Sequence, residues 1–183
     1  MENEKKAEKL KSIRHIVVVY LTIAVATLIG IILLYTQVLV NAYIPSESME
    51  NTLMTGDRII GNRLAYKNDK PKRFDVVIFY APDFENVPYI KRVIGLPGEK
   101  VRIKNGLVYI NDSKKPLDDS FVKETVDIED PVEFMVPEGH YFMMGDNRNE
   151  SFDSRYWDNP YVSEDAIIAK ALFKYWKGFE IIK

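Results

Sequence analysis

The sequence predicts a mainly β, antiparallel domain carried behind one amino-terminal membrane-spanning helix, and three observations predict it. Ile16 to Tyr35 runs without a charged residue, and twenty residues at about 1.5 Å each cross a hydrocarbon core of about 30 Å. From Met54 onward the chain changes to short β-branched runs broken by Gly, Pro, Asn and Asp, the pattern of several short strands. Asn105-Gly106 sits between two such runs, and that dipeptide is the strongest short-range hairpin signal.

Residues 1–15 are polar and lack apolar periodicity, so they are expected to form a cytoplasmic segment ahead of an anchor at 16–35 and a β-rich ectodomain at 36–183. Lys5, Lys6, Lys9, Lys11 and Arg14 crowd the amino-terminal flank, while no basic residue follows the apolar run until Arg58. The positive-inside rule then keeps the amino terminus in the cytoplasm and puts the rest outside, a single pass of the plasma membrane. A cleavable leader competes, because Val40-Asn41-Ala42 has small residues at the −3 and −1 positions. Its apolar region exceeds the usual 7–15 residues, which favours an uncleaved anchor in the lipid bilayer.

Within the ectodomain, strands are expected at Arg58–Tyr66, Asp75–Ala81, Tyr89–Ile94, Val101–Ile103, Leu107–Ile110, His140–Met144 and from about Ala169 to Trp176. Residues 114–130 are charged and weakly periodic, and 101–136 as a whole is expected to be an excursion away from any chemistry. No cysteine is present, which removes disulfides, thiol nucleophiles and thiolate metal sites. Only His15 and His140 are available, so no metal site is expected, and no cofactor either. The net charge is −2, and the flank alone takes five of the 25 lysines and arginines, so the ectodomain is acidic and nucleic acid is excluded as a partner.

Three stretches carry chemistry. Pro45-Ser46-Glu47-Ser48-Met49 offers two hydroxyls on a turn preset by proline. If that turn is extended, both side chains share one side. A serine nucleophile needs a base, and His15 lies on the far side of the anchor. His140 stands between a turn and an apolar run, where a lone histidine is more often structural. A lysine made neutral by burial is the alternative, and Lys91 interrupts the apolar Tyr89–Ile94 run. Taken alone, Lys91-Arg92 reads as a solvated strand edge. The third stretch, Gly145-Asp146-Asn147-Arg148-Asn149-Glu150-Ser151-Phe152-Asp153-Ser154-Arg155, fails as a calcium loop because Arg148 occupies a ligand position.

Together with Tyr89-Ile90-Lys91-Arg92-Val93-Ile94-Gly95-Leu96-Pro97-Gly98, these stretches resemble the bacterial type I signal (leader) peptidases, in the short Gram-positive-like form. The resemblance implies a signal-peptidase-like β fold and a membrane-bound serine endopeptidase with a Ser-Lys dyad. Its partners would be the signal peptides of exported preproteins, near the secretion translocon, with small residues at −1 and −3. It implies Ser48 as nucleophile, Lys91 as general base, and an oxyanion hole from the Ser46 hydroxyl and the Ser48 backbone N–H. Ser151 would orient Lys91, Asp153 and Arg155 would brace the loop, and Asp146 and Arg148 would be structural neighbours. Ile44, Met49, Tyr89 and Ile90 are expected to wall the substrate pocket. Glu47 and Asn51 depart from the glycine and proline common at those places, and Asp158 from a frequent glycine. Two other classes remain open on the residues alone: a tethered binding domain without chemistry, and a self-cleaving Ser-Lys repressor-type peptidase. The latter cuts an Ala-Gly bond beside a DNA-binding domain, and this chain has neither.

Overall fold

The computed structural model describes residues 2–84, 87–126 and 131–182, with the side chains of 2–8 outside that description. Helix α1 spans Glu2–Val38, so the polar flank is helical although it has no apolar stripe. Lys, Glu, Ala and Leu dominate it, and these residues favour helix without needing a packed face. Lys9–Val38 is long and apolar enough to cross a membrane, with a mean hydropathy of 2.8 and no part of it buried. Thr22 and Thr27 donate to the carbonyls of Val18 and Ile23 at 2.8 Å, which satisfies both hydroxyls within the helix itself.

Leu39–Lys183 forms a separate compact unit built from antiparallel strands. They are β1 (Leu39–Tyr43), β2 (Arg58–Asn62), β3 (Val76–Tyr80), β4 (Pro88–Gly95), β5 (Lys100–Lys104), β6 (Leu107–Ile110), β7 (Val132–Met135), β8 (His140–Met144), β9 (Val162–Ser163), β10 (Ile167–Lys174) and β11 (Glu180–Ile181). The large sheet runs β1-β2-β10-β3-β4-β8-β9 with β11 on β10, and a smaller sheet runs β6-β5-β7. The expected mainly β, antiparallel class is therefore what the chain adopts.

Differences from the sequence expectation have local causes. Strand β2 stops at Asn62 rather than continuing to Tyr66, because Asn62 Oδ1 accepts the Leu64 N–H at 2.8 Å and turns the chain. Strands β1, β7, β9 and β11 were not anticipated; each is at most five residues long and is a strand only through its pairing partner. The hairpin at Asn105-Gly106 forms as expected, with φ of 53° and 73° at the two turn residues, the type I′ geometry that matches strand twist. The excursion at 101–136 holds strands β5, β6 and β7 among its described residues; residues 127–130 lie outside them.

The near-continuous apolar run of β3 is explained by cover on both faces. Val76 and Ile78 pack with Ile44, Met49, Leu53 and Ile59. Val77 and Phe79 pack with Val93, Tyr141, Met143 and Trp157. A third cluster, around Ile94, Val101 and Phe142, joins the small sheet to the large one. At this junction a Cβ on Gly95 would lie 2.5 Å from Val101 Cγ2. Only glycine lets β4 pass there.

Candidate active site

The serine turn is fastened at both ends. Ile44 receives a hydrogen bond from Gly56 N–H and donates to the Asp57 carbonyl, at 2.9 and 3.0 Å. Ser46 is extended (φ −133°, ψ 164°), and Glu47–Met49 then form one turn of 3₁₀ helix. Met49 and Leu53 are fully buried, and Leu53 N–H closes the turn on the Met49 carbonyl at 2.7 Å. The condition of an extended segment is met at Ser46 but not at Ser48: two buried apolar anchors four residues apart pull the chain into a helical turn. The hydroxyls nevertheless meet, with Ser46 Oγ and Ser48 Oγ 3.3 Å apart.

Lys91 lies on β4, paired with Val77 of β3. Because β4 is interior to the sheet, between β3 and β8, Lys91 is only 3% exposed and Arg92 1%. The solvated-edge alternative is thereby overturned. Lys91 makes no ion pair within 4.0 Å among the described residues. Burial pulls its amine down from 10.5 to about 8; Asp153 and Asp146 oppose that shift and Arg155 assists it. A lysine in this state holds a usable neutral fraction near neutral pH.

The 145–155 loop follows β8 and binds the serine turn directly. Asn147 N–H donates to the Ser48 carbonyl at 3.2 Å, and Asn147 Nδ2 donates to the Glu47 carbonyl at 3.2 Å. A Cβ on Gly145 would lie 2.2 Å from Ser151 Oγ and 2.4 Å from the Ser48 carbonyl oxygen. Glycine is thus the residue that lets Ser48 and Ser151 converge. Ser151 Oγ donates to Asp153 Oδ2 at 2.6 Å, so its recorded bond goes to Asp153 rather than to Lys91. Donation to Asp153 leaves the Ser151 lone pairs as acceptors. Asp153, fully buried, also accepts Gly145 N–H at 2.9 Å and two bonds from the Arg155 guanidinium at 2.8 and 3.1 Å.

Asp146 and Arg148 are neighbours in sequence but take different partners. Asp146 accepts a bidentate pair from Arg92, at 2.8 and 2.7 Å, and a bond from Thr52 Oγ1. Arg148 lies 2.8 Å from Asp119 of the excursion. Strand alternation sends Arg92 to the side opposite Lys91, where the Asp146 carboxylate receives it. Sequence reasoning missed the roles of Arg92 and Asp119; an arginine inside an apolar strand was the available signal for the first.

A cleft of about 560 Å³ collects these groups. Ser46, Ser48 and Lys91 line it with Ile44, Met49, Tyr89 and Ile90, and so do Tyr43, Val87, Pro88, Glu150 and Phe152, which the sequence did not single out. His140 lies elsewhere, on β8, with its Nδ1 2.9 Å from the Glu138 carbonyl oxygen. Among the described residues no group of three His, Cys, Asp or Glu could hold a metal ion. The cleft therefore offers a hydroxyl on a fixed turn, a second hydroxyl beside it, and a buried amine of lowered basicity. That set is what amine-assisted acyl transfer requires.

Several known proteins are similar to this chain. A probable signal peptidase I-2 from Synechocystis is 39% identical over 141 residues, covering 73% of this chain and 62% of that relative's length. Signal peptidase IB of Staphylococcus aureus is 34% identical over 170 residues, covering 84% of this chain and 87% of the relative. A solved signal peptidase I from Enterococcus faecalis V583 is 32% identical, covers 56% of this chain and 97% of its own, and has a TM-score of 0.46. The family described as signal peptidase, peptidase S26, matches residues 13–176. The chain belongs to that family.

Proposed function

We propose that this chain is a membrane-tethered serine endopeptidase that removes signal peptides from exported preproteins, with Ser48 as nucleophile and Lys91 as general base. One observation carries the proposal: Lys91 is buried, lowered to about 8, and lines the same cleft as the Ser48 hydroxyl. Lys91 Nζ takes the proton from Ser48 Oγ as that oxygen attacks the scissile carbonyl. The Ser46 hydroxyl and Ser48 N–H donate to the oxyanion. Collapse then transfers the proton from Lys91 to the leaving amine of the mature protein and leaves the signal peptide esterified to Ser48. Water, deprotonated by Lys91, releases it. Ser151 accepts from the Lys91 ammonium in the protonated intervals.

The apolar walls formed by Ile44, Met49, Tyr89 and Ile90 suit small side chains at −1 and −3. The substrate adds its main chain as a strand beside the cleft. α1 is the anchor, with its lysine-flanked end in the cytoplasm and the β unit outside, near the translocon. Val40-Asn41-Ala42 is paired with Gly61, Ile60 and Ile59 inside the sheet, which supports an uncleaved anchor. Tethering raises the effective concentration of a membrane-borne substrate.

The test is cleavage of a labelled preprotein by the detergent-solubilised protein and its Ser48→Ala and Lys91→Ala forms. Both variants are expected to be inert while remaining folded. Processing by folded Ser48→Ala at the wild-type rate would refute the assignment.

A further inference from the structure

The 117–126 segment belongs to the stretch expected to be remote from chemistry, yet it makes repeated contacts with both loops of the site. Asp119 reaches Arg148 at 2.8 Å, Phe121 lies with its ring centroid 4.2 Å from the Arg92 guanidinium carbon, and Thr125 O accepts from Asn149 Nδ2 at 2.9 Å. At the centre of these contacts is Glu124. Its Oε1 accepts Arg148 N–H at 2.6 Å, and its Oε2 accepts Asn51 Nδ2 at 3.0 Å. A single carboxylate thus spans from the turn carrying Ser48 to the loop carrying Ser151.

Asn51 gives this bridge its meaning. It sits at φ 83°, a conformation closed to proline and unfavourable for most residues other than Gly, Asn and Asp. Asn51 also stands three residues after Ser48, where the resemblance expects proline. A left-handed residue lacks the stiffness that proline gives a turn. In this chain the lost stiffness is supplied from outside, by a side-chain bond to Glu124.

We propose that Glu124 is a positioning residue: it ties the serine turn to the 145–151 loop, so that Ser48 meets Lys91 in register. This inference rests on the Ser48–Lys91 assignment. Its two bonds add to the direct contacts of Asn147 with the Glu47 and Ser48 carbonyls, and both must form for Glu124 to couple the two loops.

The experiment compares Glu124→Ala, Glu124→Gln, Asn51→Gly and the Glu124→Ala/Asn51→Gly double variant on one preprotein, with Ser48→Ala and Lys91→Ala alongside. Glycine takes φ 83° without strain and removes only the Nδ2 donor. Displacing a nucleophile by a fraction of an ångström to an ångström costs on the order of tenfold to a hundredfold. Glu124→Ala is therefore expected to lower kcat about tenfold or more at nearly constant KM. Glu124→Gln, which keeps one acceptor oxygen, is expected to fall between wild type and Glu124→Ala. Asn51→Gly should share the kcat loss, and the double variant should be no worse than Glu124→Ala alone. Thermal melts identify a merely structural role. If Glu124→Ala melts earlier but keeps the wild-type kcat below its transition, or if the two losses multiply independently, the positioning role is overturned. Should Glu124→Ala be unstable, the Gln and Gly variants decide by the same kcat criterion. Inert Ser48→Ala and Lys91→Ala beside an unchanged Glu124→Ala would reject this inference alone. Activity surviving in the dyad variants would reject the dyad instead.

Discussion

Replacing Lys91 by methionine tests the energetic basis of the site. Bringing a lysine from 10.5 to about 8 corresponds to about 3 kcal/mol of unfavourable interaction with its charged form. The sign follows from proton binding. Below about pH 8 the amine is protonated in both folded and unfolded chains, so the full penalty is present. Between about 8 and 10.5 the unfolded chain binds more protons, and stability rises with pH. Lys91→Met keeps a similar apolar volume without the charge, so it should stabilise the β unit by up to about 3 kcal/mol at pH 6–7. That advantage should shrink steadily as pH approaches 10.5. The same shift sets the rate: the neutral fraction is roughly 10% at pH 7 and 90% at pH 9. Wild-type kcat/KM should therefore rise roughly tenfold over that interval, with an apparent pKa near 8. Guanidinium melts of both proteins from pH 6 to 10.5, and preprotein cleavage by wild type across the same range, supply the two readouts. A flat kcat/KM profile in the chemistry-limited regime, or a Lys91→Met stability difference independent of pH, would refute the reasoning.

Four further outcomes are expected. Ser46→Ala should lose about 10²–10³ in kcat at nearly constant KM, and Ser46→Thr should recover much of it, measured on one preprotein. His140→Ala should retain most of its activity, because its ring is held near the Glu138 carbonyl outside the cleft; an inert His140→Ala would contradict the lysine assignment. Asn51→Pro should destabilise by more than about 1 kcal/mol in denaturant melts, since proline cannot adopt φ 83°, whereas Asn51→Gly should be nearly neutral. Arg155→Ala removes a cation that lowers the Lys91 amine and frees Asp153, which raises it; the alkaline limb of kcat/KM should move above 8, with Arg155→Lys intermediate.

What could be read in the sequence was whatever depends on neighbours along the chain. α1 was legible because twenty uncharged residues leave few alternatives, and β3 and the Asn105-Gly106 hairpin because run length and turn chemistry are local. Strand β1 was not, because it continues directly from an apolar helix, and only pairing with β2 makes it a strand. The burial of Lys91 was legible only as one of two readings: its apolar run favoured burial, but a Lys-Arg pair in a short strand is solvated at an edge and buried in an interior position. Only the placement of β4 between β3 and β8 decides which. The family resemblance named the loop residues but not their partners. Arg148 finds Asp119 and its N–H finds Glu124, 29 and 24 positions earlier, in a charged stretch without periodicity. The excursion thus looked remote from the site on composition alone.

The arginines explain how Lys91 keeps a lowered amine near two carboxylates. Asp153 and Asp146 both act to raise the Lys91 amine, and unpaired carboxylates would favour its charged form more strongly. Each is occupied instead. Arg155 takes Asp153 through two nitrogens, and Arg92 takes Asp146 through two more. Bidentate guanidinium pairing satisfies planar carboxylates in a way that an ammonium does not. With both acids neutralised, their attraction for Lys91 is reduced and desolvation becomes the larger influence. Arg92, next to Lys91 in sequence, therefore compensates the Asp146 charge from the opposite side of the strand. Alternation of a single strand separates the two roles.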